Sequence, residues 1–188
     1  MRKAAPASVA LVGLFLAVAL AAAPPRKPLS PPGTATLRLA GASLTLTYHR
    51  PYIRNPKAPH HPRLIFGAGS AYLVPFGQVW RLGANQATTL TTTAPIVLAG
   101  QHLAAGTYTL FAIPNARDWT LIISKKTGEW GIPYPGQQYD LARETIGVHH
   151  ARARVDPFTI SFHRTGPHTA QLRFAWDHTM AAASVRVP

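Results

Sequence analysis

Apolar and polar residues alternate along this chain with a period of two, and that pattern limits the fold more than any other feature. Leu44, Leu46 and Tyr48 alternate with Ser43, Thr45, Thr47 and His49; on an extended chain one set faces a core and the other faces water. Leu37 and Leu39 precede them across Ala40-Gly41, so residues 35–49 read as a hairpin. Phe158, Ile160 and Phe162 repeat the pattern, Gly166-Pro167 marks a turn, and Leu172, Phe174 and Trp176 resume it. Between these lie a threonine-rich strand over 87–93 and a short apolar one over 95–99. A second hairpin follows, from Thr107–Ile113 and Trp119–Ser124. Residues 144–154 and 183–187 are strand candidates with less regular alternation. Beyond the N-terminal segment no window carries an apolar stripe at helical spacing. Short strands separated by Gly and Pro turns predict an all-β, antiparallel β-sandwich, with a barrel as the alternative.

Residues 1–23 have the order of a signal peptide: Arg2 and Lys3, an apolar run from Val9 to Leu20, then Ala21, Ala22 and Ala23. The run is short for a membrane span of about 20 residues, so cleavage is expected rather than a retained anchor. No later segment matches it, and no transmembrane segment is expected after cleavage. Residues 24–34 begin with five prolines in nine positions and read as a Pro-rich linker. Residues 35–188 are then a single domain. A periplasmic or extracellular bacterial destination follows. The chain has no cysteine, which excludes a disulfide scaffold, a thiol nucleophile and a lipid-anchored N-terminal cysteine.

The formal net charge is +13, and six carboxylates oppose nineteen basic residues. Such a balance suits an acidic partner. The basic residues are scattered from Arg38 to Arg186 rather than clustered, which with export argues against nucleic acid. The scatter fits a generally arginine-rich surface first; a small anionic ligand or glycan is the possible partner, with a membrane surface as an alternative. The sequence is silent on oligomeric state.

Residues 50–77 break the alternation in a long loop rich in Pro, and loops of this length in compact domains tend to be functional or disordered. Tyr48-His49-Arg50-Pro51, Ile65-Phe66-Gly67, the run from Leu73 to Thr88 (LVPFGQVWRLGANQAT), Leu103–Phe111 and Gly128-Glu129-Trp130-Gly131 stand in a characteristic order. In these motifs, over about residues 35–187, the chain resembles the bacterial exported family catalogued as domain of unknown function twenty-nine eleven. The resemblance implies an exported β-sandwich and implies no reaction. The sequence departs from that pattern at Gln86, in an enlarged 53–63 loop and in a shortened 135–150 region.

Arg81 and Asn85, around Gly83, can offer fixed donors to a pocket, and Arg50 can supply a second guanidinium to clamp a carboxylate, sulfate or phosphate. The same residues also fit a structural role, with Trp80 in the core, Arg81 bonded to backbone carbonyls and Asn85 closing a turn. Glu129 and Trp130, with Tyr134 and Tyr139 nearby, combine an acid with aromatic faces as a sugar site does. They fit equally as a packed loop.

His60-His61 and His149-His150 are adjacent pairs whose members point to opposite faces, so each pair offers one ligand at best. No metal site and no cofactor is expected. Carboxylates are too sparse to suggest a glycosidase pair, and no G-x-S-x-G elbow occurs. Whether the protein is an enzyme stays open, with the balance toward none. The leading reading is a non-enzymatic ligand- or glycan-binding module using Arg50, Arg81, Asn85, Glu129 and Trp130. The alternatives are a hydrolase with a loop-borne active site and a structural envelope protein that pairs through a sheet edge.

Overall fold

A computed structural model describes residues 29–55 and 58–188. The leader read over residues 1–23 lies outside the described residues, as do residues 24–28 of the linker. Among the described residues thirteen strands follow in order. They are β1 (Pro32–Leu39), β2 (Ala42–His49), β3 (Arg54–Asn55), β4 (Ala58–Pro62), β5 (Phe66–Gly67) and β6 (Val74–Pro75). After these come β7 (Thr88–Thr92), β8 (Ile96–Leu98), β9 (Gln101–Leu103), β10 (Gly106–Pro114) and β11 (Asp118–Ser124). A single 3₁₀ turn at Gln137–Tyr139 leads into β12 (Asp140–Arg164) and β13 (Thr169–Arg186). No described helix is long and apolar enough to cross a membrane.

Nine strands make one antiparallel sheet in the order β1-β2-β7-β10-β11-β12-β13-β8-β9, with no closure into a barrel. The expected hairpins are present: Leu37 pairs with Leu44 across the Ala40-Gly41 turn, and Phe162 pairs with Leu172 across the turn at Gly166. Ala40 and Gly41 both adopt positive φ there, as a two-residue hairpin turn requires.

The long strands β12 and β13 let one sheet form two packed layers. The β12–β13 register shifts between His150 and Val155 and again between Val155 and Thr159, and irregularities of this kind bend a strand. The first part of β12 pairs with β11, whereas its later part faces β2. Tyr48 makes that contact. Its phenol accepts from Ile160 N at 3.0 Å and donates to Ile160 O at 3.3 Å, standing in for a ladder bond between the layers.

The core between the layers joins alternating residues of both: Leu44, Leu46 and Leu90 on one side, Phe158, Leu172 and Phe174 on the other. Phe66 and Trp80 sit among Trp119, Phe158 and Trp176, with ring centres 5.0–6.0 Å apart. The outer face of β10 and β11 carries a smaller cluster, Phe111 and Ile122 with Ala87, covered by Tyr134 from the 128–134 loop.

The described part of the 50–77 stretch holds two short strand pairs. β3 and β4 form a small antiparallel pair, and β5 and β6 a parallel one.

Candidate functional site

Two loops are fixed against each other beside the buried tryptophans. Trp80 forms an isolated bridge with Ala112, N to O at 2.7 Å and back at 2.8 Å, which ties the start of the 80–88 loop to β10. The loop then reverses tightly: Leu82 and Asn85 are left-handed, and Trp80 Nε1 donates to Gly83 O at 3.1 Å. A side chain at Gly83 would place a Cβ 2.8 Å from His49 O, so this approach to β2 needs glycine.

The 128–133 loop lies on the same segment, with Ala87 N donating to Glu129 O at 3.0 Å. At Gly131 (φ 85°) a Cβ would stand 2.9 Å from Ala87 Cβ and 3.0 Å from Arg81 Cβ.

This packing sets Arg81. Its Nη1 donates to Asn85 O and, at 2.8 Å, to Trp130 O, and the guanidinium carbon lies 5.7 Å from the centre of the Trp130 ring. Asn85 Nδ2 donates to Ser30 O at 3.3 Å, drawing the start of the described chain to the same place.

Arg81, Asn85 and Ser30 line a cavity of about 230 Å³ with Trp80, Trp176 and Arg63. Leu73, Val74, Pro51 and Ile132 supply more of its apolar wall. Arg63 is anchored as Arg81 is, its Nη2 donating to Tyr52 O and its Nε to Ile53 O at 3.4 Å. Each guanidinium has further N–H groups beyond those so used, and no carboxylate lines the cavity among the described residues. Burial lowers the pKa of both arginines; for Arg63 the charge of Asp156 partly opposes this. The ring of Trp176 also lines the cavity, and its buried indole N–H has no partner among the described residues.

The structure thus brings Arg81, Asn85 and Trp130 together and gives the other two sequence candidates different neighbours. Arg50 donates through Nε to Phe158 O at 3.2 Å and through Nη2 to Thr159 Oγ1 at 2.9 Å, where it ties the chain after β2 to β12. The second guanidinium at the cavity is Arg63. Glu129 joins the 80–88 loop through its carbonyl, and its carboxylate pairs with Lys126 at 3.4 Å. The aromatic residues near Trp130 face elsewhere. Tyr134 packs on Phe111 and donates to Asp140, and Tyr139 lies under Lys126. The structural reading of Arg81 also holds, because its donors meet backbone carbonyls and Trp80 is in the core.

A neighbouring cavity of about 290 Å³ is lined by Ile53, Arg54, His60, Pro62, Arg154 and Asp156. Its charges are partly committed: Arg154 pairs with Asp177 at 2.8 Å, and Asp156 Oδ1 accepts from Ile53 N at 2.9 Å. Among the described residues no group of three His, Asp or Glu side chains could hold a metal ion. The His150 and His178 rings stack in parallel at 5.2 Å.

No curated protein and no solved structure matches the chain. A family model matches residues 30–185, a stretch that opens just before β1 and ends within β13 and so takes in both site loops. The chain belongs to the family described as Protein of unknown function (DUF2911).

Proposed function

We propose that this protein is an exported, non-enzymatic binding module that takes a small organic anion between Arg63 and Arg81. The observation that carries the reading is the pair of half-buried guanidinium groups in one apolar-walled cavity, with no carboxylate in its lining. Removing such cations from water costs free energy that a bound anion recovers through charge-assisted hydrogen bonds. An apolar cavity of roughly 150 Å³ holds a benzene molecule, so about 230 Å³ admits a single ring bearing a carboxylate. An aromatic acid and the uronate end of an anionic glycan both meet that description. The exposed ring of Trp130 beside Arg81 extends the surface available to a sugar.

A hydrolase would need a general base within reach of the bound group, and neither His nor a carboxylate lines this cavity among the described residues. Pairing through a sheet edge is less favoured as well. β9 has only three residues, and β1 lies near β12, where Arg164 donates to Arg38 O.

The test is a thermal-shift series with acetate, benzoate, glucuronate and sulfate on wild type and Arg63→Gln. A concentration-dependent rise in Tm for a ring-bearing anion, lost in the variant, supports the module. No rise with any of the four, or a rise that Arg63→Gln leaves intact, rejects it.

A further inference from the structure

Eight large apolar side chains are exposed among the described residues, and six of them belong to stretches of chain that line or adjoin one cavity. Leu73 and Ile132 line the Arg63–Arg81 cavity themselves. Leu29 and Tyr52 adjoin the lining residues Ser30 and Pro51. Leu64 follows Arg63, and its carbonyl accepts from Leu73 N at 2.9 Å. Trp130 lies against Arg81. The other two, Tyr139 and Leu141, flank the start of β12. Exposed Leu or Ile is unremarkable when scattered singly, but a gathered patch marks an interaction surface.

We infer that this rim docks the protein on a bilayer containing anionic lipid, with its apolar side chains in the interface and Arg63 and Arg81 meeting lipid phosphate. Charge selects the partner. The centre of the patch is cationic and no carboxylate lines it among the described residues; Glu129, beside Trp130, is paired with Lys126, Asp156 accepts from Ile53 N, and the whole chain carries a net charge of +13. Two copies meeting about a two-fold axis through this face would set arginine against arginine, so a second copy is a poor occupant.

Shape points the same way. The six side chains come from five separate stretches of chain, only Leu73 and Ile132 of them lining the cavity, and a fluid interface accepts such side chains without a complementary mould. Tyr and Trp are the residues favoured at headgroup depth, and basic side chains there gain from anionic lipid. The inference does not depend on a small ligand in the cavity, since Leu29 and Leu64, which lie outside the cavity lining, can be removed while Arg63 and Arg81 stay.

Trp130 provides a local reporter. It is 54% exposed, against 8% for Trp80 and 1% each for Trp119 and Trp176. The chain from Pro24 onward, which keeps every described element, is mixed with vesicles of phosphatidylglycerol and phosphatidylcholine in equal parts, and with phosphatidylcholine alone. The protein should sediment with the anionic vesicles and far less with the neutral ones. Trp130 emission should move to shorter wavelength and be quenched by brominated acyl chains. Trp130→Phe should lose the quenching while still sedimenting.

Leu29→Ser with Leu64→Ser should lower partitioning by about tenfold, with circular dichroism and Tm confirming the fold. Leu141→Ser should leave partitioning unchanged. Equal binding to both vesicle types, binding without quenching, or equal loss in Leu141→Ser would overturn the inference. So would lipid-free self-association that the Leu29/Leu64 double variant abolishes, which would assign the rim to a second copy.

Discussion

Arg81 and Trp130 are joined twice: Arg81 Nη1 donates to the Trp130 carbonyl at 2.8 Å, and the guanidinium carbon lies 5.7 Å from the centre of the Trp130 ring. One side chain therefore holds the 128–133 loop against the 80–88 loop and still faces the cavity. Binding and loop order share a residue, so their contributions must be separated by comparing variants.

Arg81→Ala should lower stability by about 1–2 kcal/mol, the low side of what hydrogen bonds from charged groups contribute because Arg81 is partly exposed to solvent, and should abolish any anion-dependent rise in Tm. Arg81→Lys keeps the charge but lacks the fork that reaches both Asn85 O and Trp130 O. It should retain a weakened anion response. Differential scanning fluorimetry with and without benzoate checks both.

Tyr48→Phe removes the phenol that serves Ile160 N and Ile160 O across the layers. Both backbone groups are then left without their partner in the core, at a cost of about 2 kcal/mol. Urea unfolding should show a lower midpoint with an unchanged m-value, since the surface exposed on unfolding is the same.

Gly131→Ala forces a side chain into left-handed backbone and toward Ala87 and Arg81. We expect a loss of about 2 kcal/mol or more, combining backbone strain with displacement of the loop. Trp130 fluorescence, followed in a background in which the three buried tryptophans are unchanged, should report a more solvated indole.

Two groups make stability depend on pH in opposite ranges. The Tyr134 hydroxyl is pushed up to about 12 from 10.0 by burial first and by its hydrogen bond to Asp140 next. A raised folded-state value gives stability that is complete below pH 10 and is lost as pH climbs toward 12. Burial lowers the His49 value from 6.5, so its contribution is complete above pH 6.5 and is lost as pH falls through the lower folded-state value. Tyr134→Phe should flatten the alkaline limb of a Tm-against-pH curve and His49→Gln the acid limb.

Much of the fold is legible in the residues because burial follows period two. Leu44, Leu46 and Tyr48 are buried as a set, as are Leu172, Phe174 and Trp176, and the turns fall at Ala40-Gly41 and Gly166 as expected. The strand β9 and the full lengths of β12 and β13 are less legible. The bulged region around Pro157 breaks the alternation, so two strand candidates in sequence are parts of one bent strand in space.

The site is half legible. Arg81, Asn85 and Trp130 stand in motifs whose glycines bring them together. Arg63 sits in a Pro- and His-rich stretch with no periodicity, and only the folding back of that stretch onto Tyr52 and Ile53 brings it to the cavity. The motif offers Arg50 as the second guanidinium, and the layer packing directs its donors to Phe158 O and Thr159 Oγ1.

The most direct measurement is a side-chain nuclear magnetic resonance titration that follows the Nε–H signals of Arg63, Arg81 and Arg50 as benzoate is added. A shared anion site requires the Arg63 and Arg81 signals to move together and saturate with one dissociation constant, while Arg50 stays still. If Arg63 and Arg81 do not move, or if all three drift together without saturating, the cavity is not an anion site.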